Sequence, residues 1–295
     1  MNICRSMLYI PGDSPGKIQH APIFDADGIL LDLEDAVALS EKDSARRMVG
    51  WFLRDYDFKN LVVTVRVNGA DTKFFKDDLE EIIPEAPYAV RIPKCDGPKD
   101  VLLADRLITE IEERHGMAHG KVKIHAMIET AVGIENAFLM ASASPRVKAL
   151  TLGGQDLTAD MGGRKTKEGA ELFYARSRVS VAAHAAGIEA YDTIWGDIND
   201  KEGLFEETKR IIGLGFTGKA AISPDQCEII NSAFMPDEKE LRKACRIVEA
   251  AEKAEKEGKG VIAVDGKMVD APVVTRARHL VSLAEACGAE RGASL

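Results

Sequence analysis

Short apolar runs recur along the chain, each followed by a longer stretch of helical spacing. The runs are MLYI (7–10), GILLDL (28–33), LVVTVRV (61–67), YAVRI (88–92), VKIHAMI (122–128), VKALTL (147–152), GIEAYD (187–192) and GKAAI (218–222). They are continuous rather than alternating, the pattern of parallel strands buried on both faces. Between them, DVLLADRLITEIEERHG, AVGIENAFLMASA, EGAELFYARSRVSVAAHAAG and EGLFEETKRIIGLG read as helices. In the third, Leu172, Phe173, Ala175, Val179 and Val181 are expected to form the apolar side, with Gly187 as the stop. Eight strand–helix units predict an α/β fold, a closed TIM (β/α)8 barrel rather than an open doubly wound sheet.

After Phe234 the pattern changes. Residues 236–258 place Leu241, Ala244, Cys245, Val248 and Ala251 at helical spacing opposite a charged face. A connector, KGVIAVDGKMVDAP, and a last helix, VVTRARHLVSLAEACG, complete the chain. The expected organisation is a barrel domain over 1–235 and a C-terminal helical extension over 236–295.

Composition narrows the classes. The 295 residues are 45% hydrophobic, ample for one barrel core, with a formal net charge of -9. That acidic balance argues against nucleic acid or an anionic membrane as the partner. No apolar run approaches the ~18 residues that span a bilayer. The first residues lack the long apolar segment of a signal peptide, so a cytoplasmic protein is expected. The five cysteines, an odd number without a CxxC, suit reduced thiols. His115 and His119 are four apart, but the glycines of RHGMAHGK make a loop of them rather than a metal pair.

Two glycine motifs differ in context. GLGFTG (213–218) has the letters of a dinucleotide fingerprint, yet it follows a helix and precedes a strand, the reverse of what that fingerprint requires. PGDSPGK (11–17) follows a strand and leads into a helix, one residue short of the Walker spacing. Lys17 there reads either as a phosphate contact or as a solvated lysine in a turn.

In parallel barrels the chemistry gathers at the C-terminal strand ends. Those ends here carry Glu34 and Asp35, Arg66, Lys94, Glu129 and Asp156. Glu129 and Asp156 follow two strongly apolar strands, where an unpaired carboxylate is costly. A divalent cation would relieve both. Mg²⁺ takes one or two carboxylates plus water and substrate oxygens, and the lack of a Cys or His cluster argues against zinc. The alternative is a structural network joining these acids to Arg66 and Lys94.

Several ordered segments carry a resemblance: RSMLYIPGD, LDLEDAV, EKDSARR, VRVNG, IPK, IETAVGI, GGQDLTADMG, EGAELFYARSR, AAGIEAYDT, GFTGKAAISPDQ and GKMVDAPVV. Through them nearly the whole chain resembles the beta subunit of citrate lyase and the wider group of CoA-ester lyases, including citramalyl-CoA and malyl-CoA lyases. The resemblance implies Mg²⁺ held by Glu129 and Asp156. It implies cleavage of a 3-hydroxyacyl thioester, citryl on CoA or an acyl carrier protein, to oxaloacetate and an acetyl thioester. It also implies a homo-oligomer (trimer or hexamer), with citrate lyase alpha and gamma subunits as further partners. Arg66 would grip the substrate carboxylate, or else form an ion pair with Glu34 or Asp35, which are expected to support the site from behind. Backbone amides near Gly154 and Gln155 would help bind the keto acid, and Lys94 would be a further contact. Asp270 maps to the group's proton acceptor, although Ala271 and Pro272 also make it a natural helix N-cap. One departure is Gln155, where relatives often carry Glu before the metal aspartate. A stand-alone citramalyl-CoA or malyl-CoA lyase, and a non-catalytic subunit that docks an acyl carrier, are the alternatives.

Overall fold

The computed structural model describes residues 4–256, 262–264 and 267–287. Eight parallel strands close into a barrel in chain order: β1 (Ser6–Pro11), β2 (Gly28–Asp32), β3 (Val62–Arg66), β4 (Ala89–Ile92), β5 (Lys123–Ile128), β6 (Val147–Leu152), β7 (Glu189–Asp192) and β8 (Gly218–Ala221). Each of the eight apolar runs forms one strand. Pairing of Met7 with Ala220 across β1 and β8 completes the ring. Cys4, Met7, Leu30, Val62, Ala149 and Tyr191 form one buried cluster from five different strands and the segment before β1. The barrel interior is thus a packed core, as the TIM architecture requires.

Local sequence explains the joints. At Gly12 a Cβ would sit 2.8 Å from the Asp32 carbonyl oxygen, so only glycine lets β1 turn this closely over β2. Gly187 ends the Phe173–Ala186 helix at φ 68, the left-handed cap expected of it. The inward face of that helix differs from expectation. Ala175, Val179, Ala182 and Ala183 are buried, while Phe173 and Val181 are exposed. The buried four follow an i, i+4, i+7, i+8 stripe that neither Phe173 nor Val181 joins. The AVGIENAFLMASA segment is two short helices, Ala131–Glu135 and Ala137–Ala141. Between them Asn136 donates through Nδ2 to the Asp96 carbonyl at 2.8 Å. GLGFTG runs from the end of the Lys201–Gly213 helix into β8, a context with no dinucleotide cradle. His115 and His119 lie in the turn after the Pro98–Arg114 helix, as expected.

Residues 4–231 form one compact unit and Ser232 begins a second. The second contains the Glu238–Lys256 helix, a hairpin of β9 (Ile262–Val264) and β10 (Lys267–Val269), and the Ala271–Ala286 helix. Ala244, Ile247, Val248, Val269, Ala277 and Val281 form its core. The hairpin lies within the segment that the sequence presents only as a connector. Among the described residues no helix is long and apolar enough to cross a membrane.

A buried ion pair ties the Pro98–Arg114 helix to β5 and β6. Arg146 donates to both Glu112 oxygens at 2.9 and 3.0 Å, and Glu112 also accepts the Gly120 and Val122 amides. Removing one partner of such a pair leaves a buried charge uncompensated, at a cost of about 3–5 kcal/mol. Arg146→Ala is therefore expected to lower the unfolding free energy by that amount, read as a fall in the urea midpoint with little change in slope. A midpoint close to wild type would mean that Glu112 is satisfied by its backbone donors alone.

Candidate active site

The end of β2 sets the geometry. Alternation along a strand turns Asp32 and Glu34 to one side. Asp32 accepts the amides of Glu34 and Ala36 at 3.0 and 3.1 Å, which folds the strand tip around it. The same carboxylate clasps Arg66 from β3 in a two-bond fork, Nε to Oδ1 and Nη2 to Oδ2, both 2.7 Å. Arg66 Nη1 then reaches Glu34 Oε2 at 2.9 Å and Asp35 Oδ2 at 3.7 Å. The guanidinium is buried, yet the Asp32 bonds raise its pKa and hold it firmly protonated. Lys42 Nζ donates to the carbonyls of Leu33 and Glu34, fixing the tip from below. The pairing of Arg66 with Glu34 is thus present, but its principal partner is Asp32, which the sequence reading passed over.

Lys94 follows β4 in a left-handed backbone conformation, φ 52. That geometry is strained for a side chain other than glycine's. It accompanies an amide that donates to Glu129 Oε1 at 2.7 Å, while the ammonium reaches Glu34 Oε1 at 2.8 Å. Glu129, at the end of β5, is 1% exposed, and its Oε2 has no hydrogen-bond partner. Burial, reinforced by Asp156 and Glu34 and opposed by the Lys94 amide, pushes its carboxyl up to about 8. Burial likewise raises Glu34 against the pull of Arg66 and Lys94. At Gly153 a Cβ would lie 2.6 Å from the Glu129 Cβ, so β6 approaches the carboxylate this closely only because Gly153 lacks a side chain.

Asp156 lies in the first turn of the Gly154–Asp160 helix and is exposed. The sequence suggested a loop and a burial cost here. The chain turns helical directly after Gly153, so of the two acids only Glu129 carries that cost. The Gly154 amide donates to Thr193 Oγ1 at 3.0 Å and is engaged inside the protein. That bond competes with the keto-acid contact expected of Gly154, while Gln155 lines the cavity at the strand tips.

These tips surround a cavity of about 790 Å³, lined among others by Lys17, Asp32, Asp35, Arg66, Gln155 and Asp156. Gly153 is part of the lining and Glu129 lies against it. Lys17, on the short Pro15–His20 helix, therefore shares a cavity with Arg66 and Asp156. Asp270 belongs to the second compact unit, where it N-caps the last helix by accepting the Val273 amide at 3.2 Å.

The sequence reading also missed polar groups inside the barrel. Asp192 on β7 is clasped by Arg176 at 2.9 and 3.0 Å and by Lys219 Nζ at 2.8 Å. Glu207 completes this network through both cations. Arg91 on β4 and Tyr9 on β1 line the cavity and bond to each other. Charged letters within apolar runs, as in YAVRI and GKAAI, were the available signal.

Among the described residues no group of three or more His, Cys, Asp or Glu converges as a metal cage. Glu129 and Asp156 offer two carboxylates, one with a bare buried oxygen, and a hard cation with water or substrate oxygens would complete its shell there.

A model of the HpcH/HpaI aldolase/citrate lyase family matches residues 5–224. Citrate lyase subunit beta of Leuconostoc mesenteroides subsp. cremoris is 42% identical over 282 residues, covering 96% of this chain and 93% of that protein. The CitE protein of Mycobacterium tuberculosis, crystallised with magnesium, acetoacetate and coenzyme A, superposes with a TM-score of 0.78 at 29% identity, covering 96% and 98% of the two chains. A citrate lyase beta subunit from the same organism, complexed with oxaloacetate and magnesium, gives 0.67 at 30% identity over 80% of this chain and 100% of that one.

The bare Glu129 oxygen generates a test. Glu129→Gln keeps an acceptor for the Lys94 amide and removes the buried charge, so the metal-free variant should melt at or above wild type at alkaline pH. Millimolar Mg²⁺ should raise the wild-type melting temperature by mass action and leave the variant unmoved. A wild-type transition indifferent to Mg²⁺ would dismiss the two carboxylates as a cation site.

Proposed function

We propose, from the premise that the chain belongs to the HpcH/HpaI aldolase/citrate lyase family, that this lyase cleaves a citryl thioester to oxaloacetate and an acetyl thioester. The observation that carries this reading is the Glu129 carboxylate, buried with one oxygen bare beside Gly153 and close enough to Asp156 to feel its charge. Glu129 and Asp156 would hold Mg²⁺, which when bound supplies a Lewis acid for the oxygens of the keto acid. The magnesium complexes of similar proteins support that choice.

The protein's own groups account for the remaining steps. Arg66, protonated and oriented by Asp32, presents its remaining N–H groups to the substrate carboxylate. Glu34 braces both Arg66 and Lys94, and Asp35 lies beyond them. The Gln155 amide and Lys94 are offered to the keto acid, and Lys17 to the thioester or its phosphates. Asp270, of the same subunit or of a neighbouring one, is the group assigned to take the proton of the substrate's 3-hydroxyl. The bond between the carbinol carbon and the thioester's α-carbon then breaks. Its electron pair passes into the thioester enolate, the carbinol becomes the ketone of oxaloacetate, and a proton returned to the α-carbon yields the acetyl thioester. The similarity to a citrate lyase beta subunit supports a homo-oligomer served by an acyl carrier protein, with alpha and gamma subunits as neighbours. Barrel and C-terminal extension, divided near residue 235, are assigned to substrate binding and to the supply of Asp270.

Purified protein should cleave citryl-CoA in the presence of Mg²⁺, lose activity on chelation and regain it when Mg²⁺ is restored. Turnover confined to citramalyl-CoA or malyl-CoA would move the assignment to those lyases, and turnover of none would favour a carrier-docking subunit. Asp270→Asn keeps the N-cap, so its melting temperature should barely change. Its rate should fall by about 10²- to 10⁴-fold, the usual contribution of a general base. A fully active Asp270→Asn enzyme would leave Asp270 as a cap alone.

A further inference from the structure

Arg91 is a buried cation that the mechanism above leaves unused. It projects from the middle of β4, is 1% exposed and lines the cavity. Nη1 donates to the Tyr9 hydroxyl at 2.7 Å, Nη2 lies on Met7 Sδ at 2.8 Å, and the guanidinium sits 5.6 Å from the centre of the Tyr9 ring. Its Nε has no hydrogen-bond partner. None of these contacts is with a carboxylate. The acids of the cavity wall are committed elsewhere: Asp32 to Arg66, and Asp192 to Arg176 and Lys219. Asp35 stands 3.7 Å from Arg66, and Asp156 is the candidate cation ligand.

A phenol, a thioether and a π face offset only part of the cost of burying a guanidinium. Thr151, on β6 and lining the same cavity, has a buried hydroxyl without a partner. Two residues of one cavity wall thus carry donor capacity that is not met, one of them charged, and among the described residues no carboxylate bonds to either. We propose that Arg91 and Thr151 form an inner subsite for the second carboxylate of a dicarboxylic keto acid.

This deepens the function proposed above and rests on it for the identity of the substrate. A citryl thioester carries a carboxymethyl group on its carbinol carbon, where a citramalyl thioester carries methyl and a malyl thioester hydrogen. Only the first brings a second free carboxylate into the barrel. Arg91 is therefore the residue that selects among the three. A methyl group leaves the guanidinium buried and unpaired, and a site built for a polar group penalises an analogue lacking it.

The experiment compares oxaloacetate with pyruvate, its counterpart bearing hydrogen in place of the second carboxylate, by calorimetry on the Mg²⁺-loaded full-length protein. A charged hydrogen bond corresponds to about a 10- to 100-fold preference for oxaloacetate. Arg91→Met is expected to bring the affinity ratio close to one. Arg91→Lys, which keeps the charge but not the planar fork, should retain part of it. If Arg91→Met does not fold, Arg91→Lys and Thr151→Val decide the matter, and each must lower the ratio several-fold. A folded Arg91→Met protein with the wild-type ratio overturns the proposal, as does a wild type with no preference. Equal loss of both keto acids in every variant also overturns it, because that marks general damage. If the protein cleaves no thioester yet shows an Arg91-dependent preference, the lyase reading falls and the subsite stands.

Discussion

A carboxylate buried with only one oxygen bonded sets the terms for the whole site. Glu129 lies at the end of β5 with its Oε1 on the Lys94 amide and its Oε2 bare. A charge in that position must be matched by a cation or give up its ionisation. Its neighbours are built around that requirement. Gly153 has no side chain to fill the space beside it. Lys94 adopts an unfavourable backbone to present its amide. Arg66, the nearby guanidinium, is turned toward Asp32 and Glu34.

Two sets of interior polar groups differ in their physics. Asp192, Lys219, Arg176 and Glu207 meet one another's bonding capacity and need nothing from a ligand. They join β7 and β8 to two outer helices, and Lys219 also donates to the Thr193 carbonyl. Thr193 in turn accepts the amide that opens the helix carrying Asp156. A self-satisfied network thus positions the exposed turn that carries Asp156. Glu129, Arg91 and Thr151 form the second group, each with a polar atom the protein leaves unmatched. The first group ties elements together, and the second is the one proposed to meet cation and substrate.

The barrel was legible because a strand buried on both faces writes itself as an unbroken apolar run, and all eight runs are present. The hairpin of β9 and β10 was not, since its strands are three residues each and β9 follows a glycine and lysine stretch. At the site, acids and bases at strand ends were readable from placement alone, which found Glu34, Arg66, Lys94, Glu129 and Asp156. Which of them pair was not readable, because that depends on which strands adjoin and how they are registered. Asp32 was overlooked because it sits inside the apolar run rather than past its end, although its register partner across β2 and β3 is Arg66. Arg91 escaped for the same reason. The internal acceptor of the Gly154 amide was not readable, because Thr193 is 39 residues away in sequence.

The left-handed backbone at Lys94 bears on how such a protein can be engineered. Glycine would occupy φ 52 without strain, so a search for thermostable variants would tend to enrich Lys94→Gly. The replacement would retain the amide that Glu129 needs but delete the ammonium held against Glu34. A stabilised scaffold obtained that way would have a slacker mouth, with Glu34 left to Arg66 alone. Heat tolerance and catalytic order therefore pull in opposite directions at this single codon.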